Sequence, residues 1–412
     1  MRVAKGRHRV GLLSFSQIVD DPRVRRQGDA LAAAGYDVAA VGLGGGKSAS
    51  PSWPILAIDA PSAENFSGMR RWAHRARWIS ASLHGRIMPQ ATISASFQLD
   101  PRLGPMLERA RTLPADIWIA NDWNTLPAAL WLASEQGAHL IYDTHELATE
   151  EYSESLRWRL FNRPFRRALE VTALPHAKMV MTVSEGISRR LEQIFGLAEA
   201  PLVVRNVPAY RECVLRPAGK KVRALYHGGL APGRGLEENI ASVEHWRPEF
   251  SLTIRGSGDR AYLDHLKECA ARSTAASRIE FVPPVPMVEL VTEANAFDIG
   301  LFALPGHSMQ NTYALPNKLF EYTMAGLAVC VTDLPEMTRL VERYELGRTI
   351  SGSSPLAIAK AINAFDRGSI DTAKANSLRA ARELCWEIEQ KTMIEHIDRI
   401  AQLPRARAET RG

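Results

Sequence analysis

The chain has 412 residues, more than one ordinary hydrophobic core takes up, so two or three domains are expected. Hydrophobic residues make up 46% and charged residues 23%, the proportions of a soluble globular protein, and no apolar stretch reaches membrane-spanning length. A net charge of +6 is small for this length and does not argue for nucleic acid.

In chain order, the amino-terminal "MRVAKGRHRVGLLSFSQ" is basic, but its apolar run is too short for a signal peptide. The chain is therefore expected in the cytoplasm, at most peripheral at the inner face of a membrane. "RVGLLSF" reads as a first strand, the helix-like "PRVRRQGDALAAAG" follows it, and "YDVAAVGL" reads as a second strand. "GLGGG" (42–46) follows that strand but precedes a poor helix pattern, and reads as a loop. From Asn65 to Leu99 there is no Asp or Glu, while Arg70, Arg71, Arg75, Arg77 and Arg86 are interleaved with Trp72, Trp78, Leu83 and Ile87. This basic, aromatic pattern suits either an anionic membrane surface or a solvated helix packing its tryptophans on the core. A second such stretch, "RWRLFNRPFRRA", starts at Arg157. "DIWIAND" and "AHLIYDTH" read as strands whose ends carry Asp122, His145 and Glu146, and "KMVMTVSE" completes five strands in the first half.

The second half repeats the design with "VRALYHGG", "FSLTIRGSG", "RIEFVPP", "FDIGLFAL" and "LAVCVTD". Strands alternating with helix-like segments build parallel sheets covered by helices, so two series of five imply two doubly wound α/β domains. Their boundary falls near "VVRNVPAYRECVLRPAGKK", where two prolines and a Gly-Lys-Lys turn separate the series. A last long helix is expected in "AARELCWEIEQKTMIEHIDRIA", and the tail "RARAETRG" reads as disordered. Cys213, Cys269, Cys330 and Cys385 are scattered without metal-ligand spacing, which suits a reducing compartment.

In open parallel sheets, ligands bind beyond the carboxyl ends of the strands, so polar residues there are the first candidates. "YHGGLAPGRGLEENI" places Gly228, Gly229, Gly233, Arg234 and Gly235 between a strand and a helix. Glycines admit close backbone approach, a helix start favours anions, and arginine offers a fork for phosphate. "ALPNKLFEYTMAG" holds a second helix start, with Pro316, Asn317 and Lys318, and stops at Gly326. Glu321 within it is either salt-bridged to Lys318 three residues back or an acceptor for substrate hydroxyls. His145 is either a structural cap or a hydrogen-bond donor and acid/base group near neutral pH. HExxH, P-loop and GxSxG patterns are absent, as is a strand-associated GxGxxG.

Taken together, "DDPRVRRQGDALAAAGYDVAAVG", "MTVSEGISRRL", "VVRNVP", "GLAPGRG" and "FEYTMAGLAVCVTDLPEM" resemble the family 4 retaining glycosyltransferases. The resemblance implies the GT-B architecture, two Rossmann-like domains facing across a cleft. It implies an acceptor-side domain over 1–210 and a nucleotide-sugar domain over 211–384. A helix over 385–404 would cross back, ahead of a disordered tail over 405–412. The activity implied is transfer of a sugar from a nucleotide-diphosphate sugar to an acceptor hydroxyl, with retention and with neither cofactor nor metal. A lipid-linked acceptor would fit docking through Arg70 to Arg86 on an anionic membrane. By the match, Gly229, Arg234, Gly235, Asn317, Lys318 and Glu321 bind the donor, Glu321 through its ribose, and His145 is the catalytic histidine near the donor sugar.

Two departures stand out. Eight positions before Glu321, where the family carries a second glutamate, stands Tyr313, and Gly229 occupies a place where many relatives carry arginine. A non-catalytic nucleotide-sugar-binding protein and a sugar-nucleotide epimerase are the alternatives.

Overall fold

The computed structural model describes residues 8–59 and 68–405, which divide into two parallel-sheet units. The first takes the chain through Arg205, Ser308–Gln310 and the segment from Gln390 onward, and the second takes Asn206–His307 and Asn311–Glu389.

The first sheet holds β1 (Arg9–Leu13), β2 (Asp37–Leu43), β3 (Ile55–Ile58), β4 (Ile117–Asn121), β5 (His139–Asp143), β6 (Ala177–Thr182) and β7 (Leu202–Val203). Their order is β3-β2-β1-β4-β5-β6-β7, with every pairing parallel. The second sheet holds β8 (Val222–His227), β9 (Phe250–Arg255), β10 (Ile279–Val282), β11 (Ile299–Phe302), β12 (Ala328–Thr332) and β13 (Gly347–Ile350). Its order is β10-β9-β8-β11-β12-β13, also parallel throughout.

The ten strands read from the sequence are all present, and β3, β7 and β13 are additional. These three are the outermost strands of their sheets. An edge strand pairs on one side only and needs less apolar cover, so "ILAI", "LV" and "GRTI" never form the long apolar run that betrays β4, β5 or β12, which are buried along their whole length.

The "AARELCWEIEQ" helix begins later than its pattern suggests. The preceding helix Arg367–Ala380 stops, the backbone turns, and a new helix runs from Trp386 to Ala401 once the Trp386 amide has bonded to the Pro208 carbonyl at 2.9 Å. The tail expected to be disordered from 405 needs correction at its first residue. Arg405 pairs with Asp116 at 2.7 Å and donates to the Ala115 and Gln136 carbonyls, while 406–412 lie outside the described residues. Residues 1–7 and the side chains of Arg70, Arg71 and Trp72 lie outside them too.

In each sheet the chain reverses its direction of winding between two neighbouring central strands, β1 and β4 in the first and β8 and β11 in the second. At such a reversal the connections part to opposite faces and leave a crevice at the carboxyl ends, where ligands bind in folds of this kind.

Candidate functional site

In the second unit the crevice lies past His227 on β8 and Phe302 on β11. The chain leaves β8 through Gly228, whose φ of +116° is open to glycine but strained for other residues. A Cβ there would sit 2.9 Å from Cε of Lys318, so the glycine makes room for the lysine. Gly235, φ +73°, opens the helix Leu236–Ser242, and a Cβ on it would meet the Ala303 carbonyl oxygen at 2.2 Å. Gly229 has open space where a Cβ would stand. The turn is strapped to the next loop: the Leu230 amide donates to the Ser257 carbonyl at 2.9 Å, and the Tyr226 hydroxyl to the Gly229 carbonyl at 3.0 Å.

The second helix start is one residue later than expected. Pro316 is extended and precedes the helix Asn317–Met324. Lys318, only 8% exposed, points its ammonium over the rings of Phe302 (4.8 Å) and Tyr226 (5.4 Å). Burial, then Arg234, push its pKa down to about 8, against the pull of Glu321. Burial also pushes the Tyr226 hydroxyl up to about 12, although Arg234 beside it acts the other way. Arg234, Lys318 and Tyr226 therefore share one small volume. The salt bridge allowed between Lys318 and Glu321 does not form, because Lys318 has turned toward Gly228. Glu321 instead lies 2.9 Å from Nε2 of His227, which is buried at the end of β8 with its ring 4.7 Å from that of Tyr322. His227 is a site residue the sequence reading passed over, and its one signal was a histidine directly before two glycines at a strand end. Asn317 takes the first position of the Lys318 helix, and Tyr313 ends the short helix Met309–Tyr313 before it.

His145 stands on the first unit, apart from the other six residues in the division of the chain. Past the end of β5, its Nε2 lies 3.3 Å from Asp143 and its Nδ1 3.4 Å from Asp122. Asp122, at the tip of β4, has a φ of +67° and accepts the His145 amide at 3.2 Å. That backbone is uncommon for a residue with a side chain and typical of functional sites. Asp143 is fully buried and takes a two-pronged bond from Arg23, with Nε at 2.7 Å and Nη2 at 2.6 Å. Arg23 also donates to the Val204 carbonyl at 2.7 Å, and the Gln27 amide donates to Asp143. Burial alone would push the His145 pKa down, but the carboxylates of Asp122 and Asp143 outweigh it and hold the ring at about 9. His145 is therefore an imidazolium at neutral pH, a donor on both nitrogens and not a base.

NMR of the ring should show His145 titrating near pH 9, well above the ordinary 6.5. Because the folded value exceeds the unfolded one, its stabilising contribution is complete below about pH 6.5 and is lost as pH rises through about 9. A midpoint near 6.5 would show that the two carboxylates do not hold the proton.

A cavity of about 320 Å³ lies in the same unit, lined by Trp78, Leu99, Arg102, Trp123, Asn124 and Phe165 among others. The more spacious groove, about 950 Å³, runs along edge strand β13, and none of the seven candidate residues lines it. Among the described residues there is no group of three or more His, Cys, Asp or Glu placed to hold a metal ion, and no helix is long and apolar enough to cross a membrane.

Residues 21–207 match the family model described as glycosyl transferase 4-like domain, and residues 221–365 match that of glycosyl transferases group 1. Several solved structures match over nearly the whole chain. Sucrose-phosphate synthase from Thermosynechococcus elongatus aligns at 16% identity and TM-score 0.74, over 96% of this chain and 99% of its own. HepE of Anabaena, crystallised with UDP and glucose, gives 13% and 0.69 over 95% and 100%. The E. coli trehalose-6-phosphate structure bound with UDP-2-fluoro glucose gives 12% and 0.66 over 96% and 99%. These likenesses show the two-domain GT-B fold. No curated protein matches the chain.

Proposed function

We propose that this chain, a two-domain glycosyltransferase of the GT-B type, moves a hexose from a nucleotide-diphosphate sugar to an acceptor hydroxyl with retention of anomeric configuration. Its product would be a polysaccharide, glycolipid or other glycoconjugate. One observation carries the reading: the buried Lys318 ammonium, beside Arg234 and over a glycine turn, has no salt bridge among the described residues. A buried cation offset only by Glu321, beyond salt-bridge distance, is unfavourable, and a diphosphate would supply a counter-ion in direct contact.

In this reading the charge that develops on the leaving diphosphate is met by Lys318, Arg234 and the free amides at the Asn317 helix start, set in place before the reaction. No metal is needed for that charge. Glu321, steadied by His227, accepts hydrogen bonds from the ribose hydroxyls. On the first unit, the His145 imidazolium donates to the substrate and takes no proton from the acceptor. The cavity beside Trp123, lined by apolar side chains with Asp100, Arg102 and Asn124 among them, suits an acceptor that carries both an apolar and a polar group, such as a lipid-linked one.

The test is a thermal-shift panel of UDP, GDP, ADP and their sugars, followed by mass spectrometry of transfer with and without a chelator. The solved relatives that hold UDP or a UDP sugar make uridine nucleotides the first to try. A ligand at about 100 times its Kd adds about 2.7 kcal/mol of stability, a shift of several degrees. No shift with any nucleotide overturns the donor site, and transfer abolished by the chelator overturns the metal-free charge balance. A second reading, a binding protein without turnover, rests on Tyr313 in place of an acid. Clear turnover excludes it.

A further inference from the structure

We propose that the carboxy-terminal end of the Gly68–Ile87 helix, together with the helix Leu156–Phe161, forms a docking surface for an anionic phospholipid bilayer. The two helices are joined edge to edge: Ser82 donates to the Phe161 carbonyl, and Arg86 donates to the Leu160 carbonyl at 3.0 Å.

Trp78 and Trp158 do not belong to this surface. Trp78 turns inward, with its ring 4.8 Å from that of Phe165, and Trp158 is buried. Gly85 faces Thr92 and Ala168 on the same inner side. What remains outside is aliphatic and basic. Ile87 is 84% exposed, Met88 and Leu156 62% each, and Leu83 and Leu160 nearly half. Leu83 and Ile87 are one turn apart on one helix, as are Leu156 and Leu160 on the other, so each helix presents a short apolar ridge. Around them Arg75, Arg77, Arg86, Arg157 and Arg159 are all exposed.

The charge on this face is one-sided. No Asp or Glu occurs from Asn65 to Leu99 or from Ser155 to Leu169. Of the nearest acids before the second helix, Glu151 is paired with Arg166, and Glu154 is exposed. Aliphatic side chains that water would rather exclude, ringed by arginines whose stems can lie along the acyl boundary while their heads reach phosphate, match the chemistry of an anionic interface. A protein partner would have to supply both an apolar and an acidic face, and nucleic acid would leave the ridges uncovered. The surface stands whether or not the donor reading of the second unit does.

The experiment uses the purified full chain and sucrose-loaded vesicles of phosphatidylcholine alone or mixed with phosphatidylglycerol. At low salt the protein should sediment with the mixed vesicles only, and less so as salt rises past physiological strength. Reversing Arg157 and Arg159 to Glu should weaken partitioning by about fivefold or more per residue. The double variant Ile87→Asp, Leu160→Asp should lose binding with an unchanged melting temperature. A dye on Ile87→Cys should shift to the blue with the mixed vesicles alone. Absence of sedimentation at low salt overturns the proposal. So does undiminished binding by the double variant, or concentration-dependent self-association that the same variant abolishes, which would make a second copy of the chain the occupant.

Discussion

Replacing Lys318 with Met is expected to slow transfer on the order of 10²–10³-fold while leaving the fold as stable as before or more so. Both halves of that result have one cause. The ammonium is buried against Phe302, Tyr226 and Gly228, and burial brings its pKa from the ordinary 10.5 to about 8, roughly 3 kcal/mol against the charged form. Since the folded value lies below the unfolded one, that cost is complete below about pH 8 and fades as pH rises toward 10.5. Wild-type stability should climb through this window, and that of the variant should not. A bound diphosphate restores a counter-charge and raises the lysine pKa again. Between about pH 8 and 9 the wild type should take up protons on binding UDP, measured by calorimetry in buffers of different ionisation heat, and the variant should take up none. Arg234→Ala and Glu321→Ala should likewise abolish transfer in a folded protein. Wild-type rates in these variants, or a fall in the melting temperature of Lys318→Met, would remove these residues from the site.

Asp143→Ala should be the most destabilising single change discussed, about 3–5 kcal/mol, because it leaves the Arg23 guanidinium, 1% exposed, without its counter-ion. For a unit of this size the melting temperature should fall by roughly 10 °C. The Asp143 carboxyl is held well below the usual carboxylate range by Arg23 and His145, which outweigh its burial. Its contribution is therefore complete above the ordinary carboxylate pKa of about 3.9 and is lost progressively as pH falls below that value toward the depressed folded one. Pairing Asp143→Leu with Arg23→Met should recover much of the loss, since no charge is then stranded. The His145 midpoint should fall from about 9 toward 6.5 once one of its two carboxylates is gone. If Asp143→Ala melts with the wild type, the buried pair contributes nothing, and the account of His145 loses its support.

The parts of this protein that repeat locally were legible in its sequence. Period and β-branching marked β4, β5, β8, β9, β11 and β12, glycines marked the turn from 228 to 235, and a proline followed by Asn317 and Lys318 marked the second helix start. The alternation of strands and helices was enough for two parallel sheets, because short crossovers leave few other arrangements.

What each charged side chain does was decided only in three dimensions. Lys318 had Glu321 within reach three residues away, yet it packs on rings supplied by β8 and β11, while Glu321 meets His227. Arg23 and Asp143, 120 residues apart, close a pair that sets the protonation of His145. The two basic, aromatic stretches left open along the chain which residues face outward, and folding turned Trp78 and Trp158 inward while leaving the arginines and aliphatic side chains outside. The physical reason is the same in each case. Propensity and periodicity act over a few neighbouring residues, whereas the energy of a charge depends on burial and on partners brought close by the sheet order, and neither is encoded in local spacing.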